Sequence, residues 1–174
     1  MIYPKDGPIL RDRVKLQVLK GFYPTEPNRL QTRYPIPTEA TKIEEIKSGA
    51  FIVRDTANAC WKLATTVAPG DELFIALPDA TDHDVQAVGK LVALDVRGDY
   101  EIQTPYFKED TYTLGMKLTL EDGKLAPAGS GATVVATVSG GNETDAIIDL
   151  KGQNSSAKDL RVLQVVPMAP TLTA

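Results

Sequence analysis

The chain has 174 residues, 43% of them apolar and 24% charged, with a net charge of −4. That is enough for one domain with a core plus an extension, is short for two ordinary domains, and is ordinary for a globular protein. The single cysteine, Cys60, excludes an intrachain disulfide and a metal site built on cysteines, and no run approaches the roughly 18 apolar residues of a membrane-spanning helix.

The first forty residues differ from the rest. They hold six of the twelve prolines (Pro4, Pro8, Pro24, Pro27, Pro35 and Pro37). Each proline fixes φ, removes a donor and biases its predecessor away from helix. Seven Lys/Arg stand against four Asp/Glu in this stretch, and twelve against nineteen in the remainder. The start, MIYPKDGPILRDR, has no apolar run of secretory-signal length, so synthesis in a cytoplasm is expected. Within the stretch, Val14, Leu16 and Val18 alternate with polar residues, which predicts a short strand at an edge or completed by a neighbour. Residues 1–40 are therefore expected to form an extended arm of at most about 130–140 Å. Its anchors would be Ile9, Leu10, Val14, Leu16, Val18, Phe22, Tyr23, Leu30, Tyr34 and Ile36, with Arg29 and Arg33 adding positive charge. A basic arm suggests an acidic partner surface. Nucleic acid fits less well, because the cations are scattered and barely interleaved with aromatics. An arm folded back on its own domain is the alternative.

Residues 41–174 are expected to form a β-rich body. It opens on a short helix over 39–47, where Ile43 and Ile46 are three apart. Strands are expected at Phe51–Val53 and Trp61–Leu63. Glu72–Leu77 is nearly all apolar, as suits a strand buried on both faces. A long strand is predicted over Gln86–Val96 with Gly89 as a bulge, turning at Arg97-Gly98-Asp99 into the alternating Tyr100–Thr104. Met116–Leu120 alternates as well, and Asp122-Gly123 is a tight-turn signal before Leu125. Ala132–Val138 and Leu160–Val166 complete the set, with Pro167 and Pro170 as stops. Strands every 10–15 residues, without helical periodicity after residue 47, predict an all-β fold, a small barrel or sandwich.

Reactive chemistry is sparse. The one histidine, His83, sits in Asp79-Ala80-Thr81-Asp82-His83-Asp84. Three carboxylates suggest a cation loop, but the glycine and distal glutamate of an EF-hand are missing, so a solvated loop is expected and no metal or other cofactor. No serine stands in a nucleophile-elbow frame, and no phosphate-binding glycine loop leads into a helix; Ala128–Ala132 reads as a turn. Cys60 beside Trp61 reads as a buried, inert thiol. Arg97-Gly98-Asp99 matches an adhesion tripeptide that a turn glycine explains as well. Asn142-Glu143-Thr144 and Asn154-Ser155-Ser156 match glycosylation sequons, which matter only for a secreted chain.

The stretch from Gly49 to Gly140 resembles the capsid decoration (cement) proteins of tailed bacteriophages. The resemblance lies in GAFIVRD, the strand at Cys60–Ala64, APGDELFIAL, VGKLVALDVRGDYEIQT read as a long hairpin, YTLGMKLTLEDGKLAPAG and ATVVATVSG. It covers about half of the chain, in strand-and-turn rhythm more than in invariant residues. It implies a β-tulip or β-barrel core, commonly a homotrimer, and an N-terminal arm that binds the major capsid protein on the virion exterior. It implies no catalytic residue, nucleic acid or membrane. The length of the arm and the 141–174 tail depart from the family's pattern. A phage tail or baseplate β-protein would share this composition. A carbohydrate-binding adhesin would need an exposed aromatic platform, against which one Trp and 6% aromatics argue. A hydrolase would have to use His83 with Asp82 or Asp84.

Overall fold

A computed structural model describes residues 31–97, 100–149 and 161–173, together with the backbone of residues 17–21. These residues form twelve strands and two one-and-a-half-turn helices: β1 (Gln17–Gly21), β2 (Gln31–Pro35), α1 (Ala40–Glu45), β3 (Phe51–Asp55), β4 (Cys60–Leu63), β5 (Phe74–Ala76), α2 (His83–Val88), β6 (Lys90–Asp95), β7 (Tyr100–Thr104), β8 (Lys117–Glu121), β9 (Lys124–Pro127), β10 (Thr133–Val138), β11 (Ile147–Asp149) and β12 (Arg161–Leu172). The all-β class expected from the sequence is what the chain adopts. The strands make two antiparallel sheets and no closed barrel. One runs β1-β7-β12-β10-β8-β9, with β11 also on β12; the other runs β2-β6-β5-β3-β4.

Alternation of apolar residues explains how the sheets stack. Phe51, Leu73, Ile75, Leu94 and Val96 from the five-stranded side meet Ile102, Leu118, Leu120, Leu125, Val138, Leu163 and Val165 from the seven-stranded side in one buried cluster. The intervening residues of the five-stranded sheet, Ile52, Phe74, Ala76, Leu91 and Ala93, form a second cluster on its other face with Ile46, Trp61, Ala80 and Val85. β5 is thus buried on both faces, as its unbroken apolar run requires. The five-stranded sheet curls around this second cluster until its outer strands approach each other. Tyr34 of β2 meets Trp61 of β4 edge-on at 5.3 Å, and Trp61 meets Phe74 at 5.0 Å. The buried indole N–H of Trp61 donates to the Leu91 carbonyl at 3.1 Å.

Helix α1 sits where residues 39–47 predict it, with Ile43 and Ile46 turned toward the second cluster. The Asp122-Gly123 turn is also as expected. Both residues have positive φ (52° and 78°), the pairing of a type I′ turn, and Glu121 opposes Lys124 across it.

Three expectations fail. Residues 86–88 are not strand: they end α2, and Gly89 is its left-handed C-cap (φ 69°) rather than a bulge. Val85 is the one buried side chain of that helix, so a single contact with the core replaces the apolar stripe that would have shown helical periodicity. The supposed hairpin around Arg97 is a crossover. β6 pairs with β2 and β5, whereas β7 pairs with β1 and β12, in the other sheet. Finally, Pro167 and Pro170 do not stop the last strand, which runs to Leu172. The β10–β12 register jumps from Ala136↔Pro167 to Val134↔Thr171, so a bulge absorbs the prolines. The strand expected at Leu160–Val166 is present within β12, which lies between β7 and β10 inside the seven-stranded sheet, so this part of the 141–174 region joins the body.

Candidate interaction surface

Most of the expected arm residues, namely Ile9, Leu10, Val14, Leu16, Phe22, Tyr23, Arg29 and Leu30, lie outside the described residues. Val18 lies in β1, its backbone opposite Ile102 next to a register shift. Arg33 is exposed on β2, but Tyr34 packs against the second cluster, as does Ile36, and Pro37 is buried. Residues 31–37 therefore belong to the packing of the body. β1 and β2 fix the front segment at two points, one on an edge of each sheet.

A free sheet edge exposes a row of unpaired N–H and C=O groups, and proteins usually blunt it. Most edges here are blunted. The backbone of Tyr106 and Lys108 exchanges hydrogen bonds with Leu125 and covers β9. Gly70 N–H donates to the Pro170 carbonyl beside β12. β2 carries Pro35 on its outward side, because the neighbouring Ile36 N–H donates inward to Gly89.

β4 is shielded in part: Trp61 is fully buried, and the end of β2 and α1 stand beside the strand. Ala64 N–H donates to Phe51 of β3. By antiparallel alternation the backbone groups of Cys60 and Lys62 also face β3, and those of Trp61 and Leu63 face outward. They face a groove of about 560 Å³ between β4, the end of β2 and α1. Pro35, Ile36, Pro37 and Leu63 supply its apolar lining, and Glu39, Glu45 and Asp55 its carboxylates, against Lys42 and Lys62. Lys42 is engaged with Glu39 at 3.0 Å, which raises its pKa. A side-chain hydrogen bond from Asn58 holds the Asp55 carboxyl below the usual range.

Cys60 lines the same groove. Burial, and then the nearby Asp55, push its thiol pKa up, so it is a poor nucleophile at neutral pH. His83 is fully exposed, with Nδ1 3.6 Å from Asp84 Oδ1 and no packing to orient the ring. The acidic loop disperses its carboxylates: Asp79 accepts the Ser48 N–H at 2.7 Å, and Asp82 stands at the N-terminus of α2. Among the described residues no group of three or more His, Cys, Asp or Glu converges as a metal site would. No described helix is long and apolar enough to cross a membrane.

At the other end of the curled sheet, Asp95 accepts from Arg97 through its backbone N–H (2.8 Å), Nε (2.9 Å) and Nη2 (2.6 Å). Burial pushes the Asp95 carboxyl up, but these bonds outweigh it and hold the pKa low. The Tyr100 hydroxyl donates to the Asp95 carbonyl at 2.7 Å, so the corner between the sheets is pinned from both sides. Arg54 lies over the Phe74 and Tyr34 rings and pairs with Glu72 at 3.2 Å.

The arrangement leaves a groove of mixed apolar and acidic lining beside β4. The sequence showed the front segment but missed the β4 edge. Its signal, the short Cys60–Leu63 run, says nothing of which side stays unpaired. No family model matches the sequence, and no curated protein is significantly similar to it.

Proposed function

We propose that this chain is a structural decoration protein of a tailed-phage capsid, a homotrimer bound to the outer surface of the assembled shell of major capsid protein. The observation that supports the reading best is the anchoring of a basic, proline-rich front segment. β1 and β2 tie it to an edge of each sheet of a packed all-β body, and the sequence before Gln17 carries the expected anchors Ile9, Leu10, Val14 and Leu16.

A protein that binds only the assembled lattice stabilises it by mass action. Three linked segments per trimer act at high effective concentration, so weak single contacts add up to slow release. Ordering each residue costs roughly 1–2 kcal/mol of backbone entropy, and prolines lower that cost by restricting the free segment beforehand.

The test is deletion of residues 1–16, followed by occupancy on mature capsids measured by gel densitometry and imaging. Loss of occupancy with an unchanged fold is expected. Wild-type occupancy, or label on tails rather than shells, would defeat the proposal. Deleting 1–38 instead would strip β1 and β2 from the body and test folding.

A further inference from the structure

We draw no further inference here: the strongest candidate, the groove of mixed apolar and acidic lining between β4, the end of β2 and α1, lies beside a strand whose Trp61 is already buried within the body, and nothing in the structure shows what covers it.

Discussion

Replacing Trp61 with phenylalanine removes the indole donor that bonds Leu91 across the curled sheet. The Leu91 carbonyl then loses its 3.1 Å indole bond but keeps its ladder bond to Tyr34, a cost of about 0.5–1.5 kcal/mol. The smaller ring leaves a space of roughly 40 Å³, which at about 24 cal/mol per Å³ adds about 1 kcal/mol. Its edge contacts with Tyr34 and Phe74 also weaken. The expected loss is about 1.5–3 kcal/mol, a large part of the roughly 5–15 kcal/mol that holds a typical domain together. Urea unfolding followed by far-UV circular dichroism measures it, because the substitution removes the only tryptophan. At an m-value of about 2 kcal/mol per molar the midpoint falls by roughly 0.7–1.5 M. Lys62→Ala, an exposed neighbour on β4, is the control and should stay within about 0.5 kcal/mol. A Trp61→Phe loss no larger than the control's would refute the claim that the indole closes the curl.

Gly141 has φ 92°, and a Cβ there would lie 2.5 Å from the Ala146 carbonyl oxygen, whereas Gly131 has φ 74° and open space around it. Gly131→Ala should therefore cost about 1 kcal/mol for the left-handed backbone alone, and Gly141→Ala clearly more; thermal unfolding separates them. Arg97→Ala should raise the Asp95 pKa, because burial is then opposed only by the residue 97 backbone N–H and by Arg54. A depressed carboxylate stabilises the fold above its unfolded pKa and loses that contribution as pH falls through its folded value, so the variant should unfold at higher pH on the acid side; an acid titration with carboxyl NMR checks both. Burial pushes Tyr106 and Tyr112 up to about 12. Their contribution is complete below the unfolded tyrosine value near 10 and fades as pH rises toward 12, which absorbance at 295 nm and stability measured together would show. Cys60 should react with a thiol reagent several-fold more slowly in the folded chain than in urea at pH 8, as its raised pKa requires; equal rates would remove the thiol from the groove wall.

The sequence alone determined what depends on neighbours along the chain. Asp122-Gly123 could only be a tight turn, since both positions need positive φ. The alternation at Tyr100–Thr104 and the apolar run at Phe74–Ala76 could only be strand, exposed on one face or on neither. Tertiary structure decided what depends on a partner. Gln86–Val88 became helix because Val85 finds the core from α2. The chain crosses sheets after Asp95 because Arg97 and Tyr100 hold that corner. Pro167 and Pro170 are tolerated because a bulge on β12 takes up the lost pairing. Tyr34 turned inward, out of the expected arm, because Trp61 was there to meet it. The edge position of β4 is of the same kind: whether a strand pairs on one side or on both depends on what the rest of the chain brings beside it, and no local pattern carries that information.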